Sequence, residues 1–190
     1  PFDMERLEGR TVGIVGYGDI GRAVASRLRP LGVEILALRR RPGLSAEDPL
    51  LKETLPPERV AELMARADDV VVAAPLTPET QGLVGREAIA AMKRTAVLVN
   101  VGRGPVVDET ALVEALEQGR IRGAALDVFE TEPLPAGHAL WRLPNVLLSP
   151  HCADNVPGWV DEAMRVFLRQ LERFRRGEPL QDVVDKAAGY

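Results

Sequence analysis

Short apolar runs recur along the chain, separated by amphipathic stretches and turn residues, which is the pattern of repeated strand–helix units. The runs Val12–Val15, Val33–Leu38, Asp69–Ala73, Ala96–Val101, Ala124–Val128 and Val146–Ser149 are mostly near-continuous Val, Ile, Leu and Ala. Apolarity that does not alternate marks strands covered on both faces, and therefore a parallel sheet. Helices are predicted between them over Arg22–Pro30, Pro57–Ala67, Gly85–Met92 and Asp108–Gln118. In the third, Ala88, Ile89 and Met92 fall at helical spacing, and in the fourth Asp108 stands as N-cap with Gly119 as terminator. A longer helix is predicted from about Gly158 to Arg176, where Val160, Met164, Phe167, Leu171 and Phe174 form one apolar stripe expected to be core. Its Glu/Arg-rich side reads as a solvated face. The one extended loop is Pro42–Pro57.

The sharpest local motif is Gly16-Tyr17-Gly18-Asp19-Ile20-Gly21, which follows the strand Thr11–Val15 and opens a helix at Arg22. That context turns a weak glycine pattern into a specific one. Gly16 permits the tight turn, Gly18 lets backbone N–H groups approach a pyrophosphate, and Gly21 lets the helix pack close to the strand. The helix start then offers orphan N–H groups and partial positive charge to phosphates. The predicted fold is α/β, a Rossmann-type doubly wound parallel sheet with helices on both faces. Residues 1–176 are expected to form the dinucleotide-binding domain and 177–190 a tail.

The end of the second strand bears on the choice of nucleotide. An acidic residue about 20 positions past the glycine turn bonds the ribose 2′-hydroxyl in NAD enzymes. Here that place holds Arg39, followed by Arg40 and Arg41. A guanidinium can fork onto a 2′-phosphate, whereas a carboxylate repels it. NADP(H) is therefore favoured, with Arg40 and Arg39 as clamps and Arg41 as a solvated charge. NAD(H) stays open.

Composition narrows the rest. The net charge of −4 gives no nucleic-acid surface, and no apolar run is long enough to span a bilayer. The single cysteine, Cys152, excludes an internal disulfide and fits a reducing compartment, so a cytoplasmic protein is expected. No metal site is expected. There are two histidines. His138 lies in a Pro/Gly-rich loop and reads as solvated, whereas His151, in Leu148-Ser149-Pro150-His151, stands at the carboxyl end of a predicted strand, where open α/β sheets bind ligands. Arg103 follows a second strand, in Asn100-Val101-Gly102-Arg103-Gly104-Pro105, and Asp127-Val128-Phe129-Glu130-Thr131-Glu132-Pro133 follows a third. An arginine, a carboxylate and a histidine are thus predicted at one crevice. Spacing does not choose between Glu130 and Glu132. A Cys152–His151 nucleophile is rejected, because neighbours on an extended segment point apart; a half-buried thiol is expected.

These stretches, together with Pro75-Leu76-Thr77-Pro78-Glu79-Thr80, resemble the nucleotide-binding domain of the D-isomer-specific 2-hydroxyacid dehydrogenases, with a flavour of glyoxylate/hydroxypyruvate reductases. The match runs from end to end in the family's order. The resemblance implies that Arg103 binds the substrate carboxylate, that Glu132 partners His151, and that His151 donates the proton while hydride reaches the carbon. It places Asp127 on the nicotinamide carboxamide, the Pro75-Leu76-Thr77 turn and Thr80 beside the adenosine, and the Val101 and Gly102 backbone near the nicotinamide. It further implies a homodimer and a second, substrate-closing domain on which the 177–190 tail would pack. The first residue, Pro, fits a cloned fragment, a processed chain or a trimmed one, and the motif order favours a fragment, which by itself is expected to bind cofactor with little turnover.

The leading function is therefore a nicotinamide-dependent oxidoreductase domain acting on a small 2-keto/2-hydroxy acid. Two readings compete with it. One is a dehydrogenase of the same fold for phosphite or formate, although formate enzymes resemble Gln at the position of Glu132. The other is a nucleotide-sensing protein like the C-terminal-binding corepressors.

Overall fold

The computed structural model describes residues 5–186, which fall into two compact units divided between Pro150 and His151. In the first unit the strands are β1 (Thr11–Val15), β2 (Glu34–Leu38), β3 (Glu53–Leu55), β4 (Asp69–Val72), β5 (Val97–Asn100), β6 (Gly123–Leu126) and β7 (Val146–Leu148). They form one seven-stranded sheet in the order β3-β2-β1-β4-β5-β6-β7, every pairing parallel. The order reverses at β1, which pairs with β2 on one side and β4 on the other. Such a switch point opens a crevice at the carboxyl ends of the strands.

The helices of this unit are α1 (Asp19–Leu28), α2 (Val60–Arg66), α3 (Arg86–Ala90) and α4 (Glu109–Glu117). Side chains alternate across the sheet with the period of two that extended backbone imposes. Val12, Ile14, Ile35 and Ala37 pack with Ala25 of α1 on one face. Val15, Leu36, Leu38, Val70, Val72 and Leu98 pack with α2, α3 and α4 on the other, through Leu63, Met64, Ile89, Leu112 and Leu116. Both faces are covered, as continuous apolar strands demand. On the α1 face the cover thins toward β7, where Leu147 is 72% exposed.

Several boundaries differ from those the pattern predicts. The stretch Pro42–Pro57 is not all loop, because it contains β3. That strand has three residues, and Glu53 and Thr54 are only half-buried, so it carries no apolar run to mark it. The first helix begins at Asp19, not Arg22, because Gly18 serves as its N-cap and Gly21 lies inside its first turn. Residues Pro57–Arg59 wind as a 3₁₀ turn ahead of α2.

In the second unit, α5 spans Trp159–Arg175 close to the predicted range, with none of its residues buried. The expectation that its stripe forms core fails here: Phe167 is 58% and Phe174 70% exposed. Among the described residues the unit is one helix with flanking turns and has no second layer of its own. Cys152 is exposed as well, not half-buried. No helix of the described residues is long and apolar enough to cross a membrane. Residues 187–190 of the predicted tail lie outside the described residues.

Asp108 caps α4 as its sequence position suggests: its carboxylate Oδ1 accepts from the Ala111 N–H at 2.9 Å. Replacing the cap removes the partner of an orphan helix donor. Asp108→Ala is expected to destabilise the fold by about 1 kcal/mol. Urea unfolding curves should show this as a lower midpoint at unchanged slope.

Candidate cofactor and active site

The glycine turn connects β1 to α1 directly above the switch point. Gly16 adopts φ +95, and a Cβ there would lie 2.6 Å from the Ala74 backbone at the end of β4. At Gly21 a Cβ would come within 2.3 Å of the Gly16 carbonyl oxygen, so the helix start sits tight on the turn. Gly18 is the opposite case: nothing stands within 4 Å of where its Cβ would be. The turn is close-packed below and open above. An open cradle over a helix N-terminus is the shape and polarity that a pyrophosphate requires. Asp19 and Ile20 follow in the first turn of α1, both exposed. Tyr17 is buried, and its hydroxyl donates to Asp48 Oδ2 at 3.1 Å. Burial first, then the Asp48 charge and hydrogen bond, push its pKa up to about 12.

The carboxyl ends of neighbouring strands meet backbone to backbone. A Cβ on Gly102, after β5, would lie 2.7 Å from the Ala74 carbonyl oxygen. On Gly104 it would fall 1.9 Å from the Phe129 carbonyl, after β6. The loops after β1, β4, β5 and β6 are therefore in contact in that order, with glycine at the closest approaches. Asn100, 1% exposed, shapes the β5 loop by accepting from the Gly102 N–H at 3.1 Å and donating to the Arg103 carbonyl at 3.2 Å. Arg103 is exposed, and its Nη1 donates to the Gly102 carbonyl at 2.7 Å.

Beyond β6, the Phe129 N–H donates to Glu132 Oε1 at 3.0 Å, so the carboxylate folds back onto the residue that abuts Gly104. Arg103 and Glu132 thus stand on two loops in direct contact. Glu130 is exposed, and its N–H donates to Glu109 Oε2. His138 corrects the expectation of a solvated side chain. It is half-buried, with Nε2 3.2 Å from Glu109 Oε1 and Nδ1 accepting from the Leu140 N–H. Its neutral Nε2–H form satisfies both contacts. Glu109 thereby ties the 130–139 segment to the first turn of α4. Asp127 is 6% exposed, and the Ser149 hydroxyl donates to its Oδ1 at 2.6 Å. His151 opens the second unit, follows β7 after Ser149 and Pro150, and adopts φ 51. Among the described residues no group of three His, Cys, Asp or Glu is placed to hold a metal ion.

The Pro75–Thr80 segment is a self-bonded turn. Thr80 Oγ1 accepts from the Thr77 N–H at 2.8 Å and donates to the Pro75 carbonyl at 2.6 Å. Leu76 is exposed. The Thr77 hydroxyl donates to Glu79 Oε2 at 2.8 Å. That bond, with the Glu79 N–H and then the Arg40 charge, holds the Glu79 carboxyl below its ordinary range. Arg39 and Arg40 behave differently. Arg39 is half-buried and donates to the Ser45 hydroxyl at 2.8 Å, while Arg40 is exposed.

Residues 1–153 match the family D-isomer specific 2-hydroxyacid dehydrogenase, NAD binding domain. The chain belongs to the D-isomer specific 2-hydroxyacid dehydrogenases. It carries their nicotinamide-nucleotide-binding domain. It is 43% identical over 178 residues to glyoxylate reductase of Thermococcus gammatolerans, covering 94% of this chain and 52% of that protein. To D-3-phosphoglycerate dehydrogenase of Methanocaldococcus jannaschii it is 38% identical, over 97% of this chain and 34% of that protein. The chain thus spans about half the length, or less, of these relatives. Among solved structures, it superposes with TM-score 0.89 at 38% identity on a D-isomer specific 2-hydroxyacid dehydrogenase from Xanthobacter autotrophicus in complex with NADPH and MES. That match covers 100% of this chain and 76% of the other. An NADPH-dependent glyoxylate/hydroxypyruvate reductase from Sinorhizobium meliloti, in complex with NADP and sulfate, gives 0.86 at 33% identity, over 100% and 60% of the two chains.

The contrast among the glycines yields a test. Gly18 has ordinary φ and free space, so Gly18→Ala should fold with a thermal midpoint near the parent's. Its methyl would stand where a pyrophosphate approaches, and nucleotide affinity should fall at least roughly tenfold, about 1.4 kcal/mol. Fluorescence titration with reduced nucleotide, beside a melting curve, reads both quantities.

Proposed function

We propose that this chain is the cofactor-binding part of an NADP(H)-preferring reductase of a small 2-keto acid, of the glyoxylate or hydroxypyruvate type. One observation carries the reading: the loops holding Arg103 and Glu132 touch each other and, through Ala74, the glycine turn. A substrate anion beside Arg103 would then lie at the edge that receives the nucleotide. Bound there, the nicotinamide would supply the hydride.

In this reading Arg103 pairs with the substrate carboxylate and polarises the adjacent carbonyl. Protonated His151, oriented by Glu132, gives a proton to the ketone oxygen as the carbonyl carbon is reduced. A neutral His151 takes that proton back in the oxidative direction. Asp127, buried and hydrogen-bonded to Ser149, holds the carboxamide with the Val101 and Gly102 backbone alongside. Pro75, Leu76 and Thr80 line the adenosine, and Arg40 and Arg39 take the 2′-phosphate. The preference for NADP(H) is supported by the absence of a carboxylate at the end of β2, and by relatives whose structures hold NADPH or NADP. A homodimer, a cytoplasmic location and a substrate-closing domain on which residues 177–190 pack belong to the same proposal.

Two measurements test it. Titration should give a lower Kd for NADPH than for NADH, and Arg40→Ala should erase the difference; equal or tighter NADH binding by the parent chain refutes the cofactor assignment. With glyoxylate or hydroxypyruvate as substrate in the intact enzyme, Arg103→Ala should lower kcat/KM by roughly 10²-fold or more, the cost of truncating a charged binding partner. Its NADPH affinity should stay within about twofold, since a residue acting on substrate leaves cofactor binding unchanged. A variant with parental turnover removes Arg103 from the mechanism.

A further inference from the structure

The loop between β2 and β3 is held in an unusual way. Asp48, at its middle, receives hydrogen bonds from three separate elements. The Tyr17 hydroxyl donates from the glycine turn at 3.1 Å, Arg22 Nε from α1 at 3.0 Å, and the Leu50 N–H from the loop itself at 3.0 Å. Burial raises the Asp48 carboxyl, but the Leu50 N–H, Arg22 and Tyr17 outweigh it and keep the group below the usual carboxylate range. Asp48 is therefore ionised at neutral pH. Three residues earlier, Ser45 is 5% exposed, and its hydroxyl accepts from Arg39 Nη1 at 2.8 Å. Arg39 is also fixed at its backbone, where its N–H donates to the Leu55 carbonyl of β3.

Packing alone does not set the position of this loop. Between it and β3 lies a hollow of about 300 Å³, lined in part by Pro42, Ser45, Leu51 and Thr54. Leu50 and Leu51 pack against the α1-side core, while Asp48 and Ser45 supply the side-chain ties of the loop to the glycine turn, to α1 and to Arg39. Removing the Asp48 carboxylate would leave the buried Tyr17 hydroxyl and the Leu50 N–H without these partners. It would also release Arg22, and with them the segment that carries Ser45.

We infer that Asp48 is a positioning residue for nucleotide selection: it fastens the β2–β3 loop to the glycine turn, so that Ser45 holds the Arg39 guanidinium at the carboxyl end of β2. Asp48 touches no nucleotide itself. It couples the pyrophosphate turn to the ribose side of the site through two hydrogen-bonded steps. The inference rests on the proposed use of the β2 arginines for a 2′-phosphate.

The experiment is a set of NADPH and NADH titrations on this chain and three variants, each with a melting curve. Asp48→Ala should raise the NADPH Kd by roughly tenfold or more while NADH changes by less than about threefold, since the loss falls on the phosphate that distinguishes them. Asp48→Asn keeps one oxygen to accept from the Leu50 N–H and can donate its amide N–H to the Tyr17 hydroxyl oxygen, losing only the exposed Arg22, so it should keep both values within about threefold of the parent. Ser45→Ala cuts only the Arg39 tether and leaves Asp48 in place. It should weaken NADPH alone, by roughly three- to tenfold, as expected for one charge-assisted hydrogen bond, and it decides the matter if Asp48→Ala does not fold. Equal weakening of both nucleotides by Asp48→Ala, or unchanged NADPH affinity in Ser45→Ala, overturns the inference. A parent chain with no preference for NADPH instead defeats the cofactor assignment, and the positioning role falls with it. Retained preference in Asp48→Ala and Ser45→Ala of an NADPH-preferring parent defeats the positioning role only.

Discussion

The structure depends on backbone packed against backbone along one rim of the sheet. Because every strand runs the same way, every strand ends on the same side, and successive loops leave from neighbouring points about one strand spacing apart. Loops that close together have no room for side chains between them. Gly16 and Gly102 lie on either side of Ala74, and Gly104 lies on Phe129. Arg103 and Glu132, the residues proposed to carry the chemistry, are offset by one and three positions from these contacts. The sheet brings the loops together, and the glycines allow them to touch.

Much of this rim was legible from the amino-acid order, for a physical reason. Strands buried on both faces need unbroken apolar residues, so β1, β2, β4, β5 and β6 announce themselves; β7 is apolar too, although its Leu147 is exposed. A turn that binds phosphate needs glycine at fixed places, so Gly16, Gly18 and Gly21 do too. The residues just past those strands are then at the carboxyl edge by topology alone. β3 was hidden because an edge strand of three residues needs neither apolar run nor alternation. The start of α1 was displaced because a capping glycine and a helical glycine look alike in sequence.

Tertiary hydrogen bonds were the least legible part. Nothing near Asp48 in sequence marks it as the partner of Tyr17, which lies 31 positions away. His138 looked like a solvated loop residue because its partner, Glu109, sits on another element. Ser45 carries no motif and Ser149 stands out only as a neighbour of His151, yet one bonds Arg39 and the other Asp127. The stripe on α5 shows a related limit. Periodicity reports that a helix has an apolar side, but not what that side meets. Spacing likewise leaves Glu130 and Glu132 undivided, and it gives no sign that the Phe129 N–H donates to Glu132.

The contact between Gly104 and Phe129 has a consequence for the order of events. Two loops with no gap between them cannot drift independently, so their relative position is set when the chain folds and not when a ligand arrives. The conformational freedom that binding would otherwise have to remove is already gone. Encounter with a nucleotide then requires little rearrangement of this half of the rim.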